Sequence, residues 1–176
     1  MGEPQGLTIW LTGLPGAGKT TLARLLADQI QQQARTVELL DGDALRQTLT
    51  KDLGFSRDDR YENIRRIASV AAGVTRLGGI AIVAAIAPYA EARAAARRTI
   101  GRYIEVYVRC PLAVCMLRDP KGLYAKAQRG EVVGLTGFSD PYEEPISPDV
   151  IVDTDRLTPL ESTQAILKYL DIRVID

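Results

Sequence analysis

The chain has 176 residues, 46% hydrophobic and 25% charged, the size and makeup of one compact domain able to bury its own core. Its 22 basic residues balance 22 acidic ones, so net charge favours neither a nucleic-acid partner nor a membrane surface, and a small-molecule partner is expected. No apolar run approaches the roughly 20 residues of a membrane helix, the start lacks a signal peptide's basic and apolar regions, and Cys110 and Cys115 fit no metal-ligand spacing, so both read as structural in a reducing, cytoplasmic setting.

In chain order, apolar and β-favouring residues predict a strand over 7–11, a glycine loop over 12–18, and a helix over 20–33 with Leu22, Leu25, Leu26 and Ile30 on one face. A short strand over 36–40 ends at Asp41-Gly42-Asp43, with a short helix after it. Residues 59–77 carry Ile64, Ile67, Ala68, Ala71 and Val74 at helical spacing, with Asp58 or Asp59 as the expected N-cap and Gly78-Gly79 as the stop. The continuous apolar run over 80–86 is that of a strand buried on both faces of a parallel sheet. A helix over 91–99, a strand over 103–108, a helix start at 111–117, a last strand over 148–152 and a closing helix over 158–170 follow. Alternating strands and helices predict right-handed crossovers and a three-layer α/β domain, a parallel sheet with helices on both faces. Residues 1–176 read as a single domain. Between about 118 and 148 the periodicity gives way to Gly, Pro and charge, the pattern of a functional lid rather than a spacer.

Gly13-Leu14-Pro15-Gly16-Ala17-Gly18-Lys19-Thr20 matches the phosphate-binding pattern G-x-x-x-x-G-K-[ST] between the first strand and the first helix, the setting that gives this motif meaning. Glycines let successive backbone N–H groups turn toward a β-phosphate at the positive end of the helix. Lys19 then neutralises the β/γ oxygens, Thr20 ligates Mg²⁺, and Thr21 completes the first turn; ATP and Mg²⁺ are the implied co-substrate and ion.

P-loop hydrolases hold their metal with an aspartate at the end of an apolar strand, but the run over 80–86 passes into Ala87-Pro88-Tyr89. Asp41 and Asp43 instead face the loop from strand two, as metal ligand or as base toward an attacking hydroxyl, and the chain has no histidine to compete for that role. The plainer alternative is an N-capped turn. Beyond them, Arg46, Arg57, Arg60, Arg65 and Arg66 interleave with Phe55, Tyr61 and Asn63, a mix of anion-binding forks and aromatic faces suited to an anionic nucleotide acceptor. A solvated basic helix face is the competing reading for any one of these arginines.

Several of these stretches together resemble the adenylyl-sulfate kinase family: residues 40–46 (L-D-G-D-A-L-R), 53–56 (L-G-F-S), 59–60, 62–66 (E-N-I-R-R), 118–124 (R-D-P-K-G-L-Y), 134–137 (G-L-T-G) and 141–145 (P-Y-E-E-P), in order over nearly the whole chain. The resemblance implies transfer of the ATP γ-phosphate to the 3'-hydroxyl of adenosine 5'-phosphosulfate (APS) in sulfate assimilation, by a homodimer. By position, Asp43 would approach that hydroxyl as base or metal-side carboxylate, with Lys19 the other catalytic group. Arg46, Arg60 and Asn63 would hold the phosphosulfate, Phe55 would pack on the acceptor adenine, and Ile86 and Ala87 would line the acceptor site. Lys121 and Leu123 would close over the acceptor, and Arg118 would lie near the ATP base. Three positions depart from the family pattern. Ala87 replaces the serine of I-S-P-Y, which leaves direct in-line transfer as the implied route. Leu135 replaces the phenylalanine of G-F-T-G that covers the acceptor adenine, with Phe138 as a nearby substitute, and Ala90 replaces an arginine. A kinase for another nucleotide conjugate and a non-catalytic nucleotide-binding partner are the alternative readings.

Overall fold

The computed structural model describes residues 6–33 and 35–174. Strands β1 (Leu7–Thr12), β2 (Val37–Asp41), β3 (Ile80–Ala84), β4 (Tyr103–Arg109) and β5 (Val150–Asp153) pair in parallel in the order β2-β3-β1-β4-β5. Helices α1 (Lys19–Gln31), α2 (Gly42–Gln47), α3 (Arg57–Arg76), α4 (Ala90–Ile100), α5 (Leu112–Arg118), α6 (Leu123–Gln128) and α7 (Pro159–Val174) supply the layers around it. Strand side chains alternate between faces, and each face has its own core. Leu7, Ile9 and Leu11 of β1 and Ile80 and Ile82 of β3 join Leu22, Leu26 and Ile30 of α1 and Ile166 of α7. Trp10, Ala81 and Val83 instead meet Ile64, Ile67 and Ala71 of α3 and Ala92 and Ala96 of α4. This accounts for the unbroken apolar run in β3, whose residues are all buried. Among the described residues no helix is long and apolar enough to cross a membrane.

In a parallel sheet of this kind ligands bind at the carboxyl ends of the strands. The register brings Leu11 and Asp41 level with Ala84, Thr12 level with Tyr107, and Arg109 level with Asp153. The loops leaving β1, β2, β3 and β5 therefore open on one edge of the sheet.

Three local features differ from expectation. The N-cap of α3 is Ser56, not Asp58 or Asp59: its Oγ accepts from Asp59 N at 3.1 Å and donates to Asp59 Oδ2 at 2.7 Å, so serine and aspartate close the first turn reciprocally. Ser56→Ala should lower stability by about 1 kcal/mol in a thermal melt; an unchanged melt would assign the cap elsewhere. β3 ends at Ala84 rather than residue 86 because the chain turns out of the sheet, with Ile86 O accepting from Thr12 Oγ1 at 2.6 Å and Ala87 in the left-handed region at φ 46°. The segment over 118–148 contains α6, which periodicity did not reveal. Its first turn is held by Asp119, whose two carboxylate oxygens accept from Tyr124 N and Ala125 N at 3.1 and 2.9 Å.

Candidate active site

The loop after β1 leads into α1 through Gly16 at φ 79° and Gly18 at φ 106°, both left-handed. A side chain at Gly16 would also press on the Cys115 carbonyl, at 3.1 Å from its Cβ, so glycine here meets both a conformational and a steric need. Lys19 folds back over the loop, its Nζ donating to Gly13 O and Leu14 O at 2.8 Å each. Although part of its surface reaches solvent, the ammonium is packed round by the loop, and this burial pulls its pKa down to about 7.

Nucleotide phosphates would favour the charged form again, and the sign of the linkage follows. Above pH 7 the free enzyme holds Lys19 mostly neutral and the complex holds it protonated, so binding takes up a proton and affinity falls as pH rises; below 7 both states are charged and the dependence vanishes. Calorimetry at pH 8 in buffers of different ionisation heat should show uptake of about 0.9 proton per ATP analogue bound. Zero uptake would show that Lys19 is already charged in the free enzyme.

Beside the loop, Thr20 Oγ1 donates to Asp41 Oδ2 at 2.7 Å. The other Asp41 oxygen caps α2, accepting from Asp43 N at 3.0 Å and Ala44 N at 3.3 Å. Asp41 is thus both the expected turn cap and a carboxylate next to the P-loop hydroxyl, while Asp43 projects away from the cap and pairs with Lys121. Mg²⁺ takes few protein ligands, usually one or two oxygens together with substrate phosphates and water. The Thr20 hydroxyl and the adjacent Asp41 carboxylate fit that donor set.

These groups open into one cavity of about 1290 Å³. A site for one small ligand occupies about 300–1,000 Å³, so this space admits more than a single nucleotide. Its phosphate end is lined by Pro15, Gly16, Ala17, Gly18, Lys19, Thr20 and Thr21, and its far end by Asp43, Arg46, Phe55, Arg60, Asn63, Ile86 and Ala87, with Arg118, Lys121 and Leu123 along the side. Gly13 and Leu14 stand outside that lining. Gly13 contributes its carbonyl to Lys19, and Leu14 lines a second cavity of about 630 Å³ with Tyr107 and Tyr142. Leu135 also stands outside: it is buried in the core beside α1, and Phe138 meets Tyr124 edge-on at 6.5 Å.

The arginines divide. Arg65 and Arg66 pair with Glu62, and Arg66 also with Asp52, while Arg57 lies over the rings of Tyr61 and Tyr89, so these three form the solvated, internally paired face. Arg46 faces the cavity, donates to Leu53 O and Gly54 O, and lies 4.7 Å over the Phe55 ring. Arg60 is buried and spends four of its five N–H donors on Phe55 O, Thr136 Oγ1, Gly134 O and Asp140 Oδ2, which straps the 134–140 turn to α3. Asn63 Oδ1 is buried without a hydrogen-bond partner, and its residue lines the cavity. A buried acceptor left unpaired costs free energy, which a ligand donor would relieve.

Sequence reasoning missed Thr154, Leu157 and Pro159, which line the cavity beside Arg118; the Arg118 Nη2 donates to Thr154 O at 2.5 Å. They follow β5, and only that strand's position in the sheet brings them round to the P-loop. Tyr124 OH donates to Pro15 O at 2.8 Å and so ties α6 to the loop.

A phosphate loop that opens into room for a second substrate, with carboxylate and arginine side chains facing that room, marks the protein as a P-loop kinase. Residues 5–153 match the model of the family described as adenylylsulphate kinase, and the chain belongs to that family. It is 50% identical to the adenylyl-sulfate kinase of Halothermothrix orenii over 97% of this chain and 92% of that one. With the probable adenylyl-sulfate kinase of Pyrococcus abyssi it shares 52% identity over 93% and 94% of the two chains. The structure of the Mycobacterium tuberculosis APS kinase in complex with AMPPNP and APS superposes with a TM-score of 0.92 at 42% identity, covering 96% of this chain and 99% of that chain.

Proposed function

We infer that this chain transfers the γ-phosphate of ATP to the 3'-hydroxyl of APS, forming 3'-phosphoadenosine 5'-phosphosulfate and ADP. The observation that carries this reading is one cavity lined both by the P-loop and by Asp43, Arg46, Phe55 and Asn63. In the proposed step the acceptor oxygen bonds to the γ-phosphorus as the bond from that phosphorus to the β,γ-bridging oxygen breaks, and the hydroxyl proton passes to Asp43. Thr20 and Asp41 would hold Mg²⁺, which would supply neutralising charge for the transferring phosphoryl oxygens. Lys19 and the first-turn amides of α1 hold the β- and γ-phosphates, and Arg118 with Leu157 and Pro159 bounds the ATP base. At the acceptor end, Arg46 and the remaining N–H of Arg60 face the phosphosulfate, Asn63 Oδ1 takes a donor from the acceptor, and Phe55 stacks on its adenine.

Lys121 reaches Asp43 from the segment over 118–148, which we read as a lid. Both side chains are more than half exposed, so water competes for the pair and substrate can exchange for either member. With alanine at 87 no side-chain oxygen is available there to accept phosphate, and the route is direct transfer. The homodimer remains part of this proposal on the strength of the family resemblance. Use of ATP and two free, buried thiols suit a reducing, ATP-containing compartment, and we assign the chain to the cytoplasm. The test is an acceptor panel with ATP and Mg²⁺: APS should be phosphorylated far faster than AMP, ADP or unsulfated adenosine. Preference for another member of the panel would move the activity to a different nucleotide conjugate, and no transfer to any would leave a nucleotide-binding protein.

A further inference from the structure

The segment 86–90 passes along the acceptor end of the cavity through Ile86, Ala87 and Pro88, and its backbone is fastened at four points. Ile86 O accepts from Thr12 Oγ1 at 2.6 Å, Ala87 O from Arg93 Nη1 at 2.7 Å, Pro88 O from Glu143 N at 2.8 Å, and Ala90 N donates to Glu143 Oε2 at 2.7 Å. Within it Ala87 holds φ 46°, a conformation unfavourable for a residue with a Cβ and maintained only where the surroundings over-determine it.

Arg93 makes one of these ties itself and, through the Glu143 carbonyl, holds the residue that makes two of the others. It is 3% exposed and lies outside the cavity lining. Nη1 binds Ala87 O, Nη2 binds Glu143 O at 2.7 Å, and Nε faces Glu105 Oε1 on β4 at 3.2 Å. The Tyr142 ring lies 5.9 Å from the guanidinium, and the Tyr142 hydroxyl hydrogen-bonds to Thr12 Oγ1 at 2.9 Å. A buried ion pair is a poor route to stability alone, because apolar side chains of equal volume serve as well or better. A planar fork, however, can hold two carbonyls and a carboxylate in fixed relation, which an ammonium cannot.

We propose that Arg93 is a positioning residue for the acceptor: through Ala87 O and Glu143 O it locks the left-handed turn at residue 87 and ties that wall of the acceptor site to the 141–145 segment. The proposal rests on the acceptor reading above and adds a residue that touches no substrate. Arg93 acts through the placement of Ala87, so its loss should appear in acceptor use and not in ATP use. It also predicts a specific rescue, since glycine adopts φ 46° without help.

The experiment compares wild type, Arg93→Lys, Ala87→Gly, the Arg93→Lys/Ala87→Gly double variant and Glu143→Ala by steady-state kinetics, thermal melting, and hydrogen exchange of amides 87, 89 and 90. Lysine keeps a charge opposite Glu105 but cannot span both carbonyls, so Arg93→Lys should raise the KM for APS about tenfold or more, leave the KM for ATP near wild type, and speed exchange at 87–90. Adding Ala87→Gly should return the APS KM close to that of Ala87→Gly alone. Glu143 is exposed and loses only its bond to Ala90 N; its alanine variant should fold and shift the APS KM in the same direction by a few-fold, which keeps the test decisive if Arg93→Lys does not fold. The proposal is overturned if both KM values rise together, if glycine at 87 restores nothing, or if exchange at 87–90 matches wild type. Should wild type transfer no phosphate to APS, the acceptor reading fails, and the exchange data alone then decide for or against the Arg93 clamp.

Discussion

Asp43→Asn should reduce kcat by about 10²- to 10⁴-fold, the range associated with losing a positioned general base, while ATP affinity and melting temperature stay near wild type. The geometry separates the two effects. The Asp43 side chain is 68% exposed and its carboxylate pairs with Lys121 across the cavity, whereas Thr20 and the cap of α2 are held by Asp41. Asparagine has the same shape and still accepts from Lys121, so neither the P-loop nor α2 loses a contact. What disappears is the ability to take a proton from the attacking hydroxyl. A loss of less than tenfold in a single-turnover measurement of transfer would remove Asp43 from the role of base; a large loss of ATP affinity would assign it to the metal instead.

Asp41→Asn should act differently. Its Oδ1 can still cap α2, but the charge beside Thr20 is gone, so the Mg²⁺ concentration needed to support binding of a non-hydrolysable ATP analogue should rise about 10- to 100-fold, as it does when groups that set a metal site are removed. Binding measured without Mg²⁺ should change little. Asp41→Ala should show the same metal defect and in addition destabilise the protein by about 1 kcal/mol, because α2 loses its cap. An unaltered Mg²⁺ requirement in both variants would mean that the carboxylate serves the turn alone.

These two aspartates show how far the sequence was legible. Asp41-Gly42-Asp43 announced a strand end with acidic side chains, but cap and ligand are the same residue type in the same place, and only the 2.7 Å contact of Asp41 with Thr20 gives it a second role. The P-loop and α1 could be read because their spacing follows from local backbone geometry, and β3 because both of its faces are covered. The start of α3 was displaced by two residues, since three candidate caps stand close together and the Ser56–Asp59 reciprocal bond chooses among them. The arginine series was visible as a cluster, yet which of its members face a ligand depends on the position of Glu62 and Asp52, and those carboxylates remove Arg65 and Arg66. Thr154, Leu157 and Pro159 reach the cavity through sheet order alone, and no motif marks them. Leu135 carried an expected contact with the acceptor by its place in a motif, but its side chain turns into the core, while Arg60 grips the surrounding turn.

A cavity that aligns the γ-phosphate of ATP with the 3'-hydroxyl of APS can place the new phosphate at one position, which can be located directly. Enzyme, ATP, Mg²⁺ and APS should yield ADP and a product whose added phosphorus, by ³¹P NMR, couples to the ribose 3'-proton, with the 5'-phosphosulfate intact. A phosphate at the 2' position, transfer to the sulfate end, or ADP formed at the same rate with and without APS would contradict it.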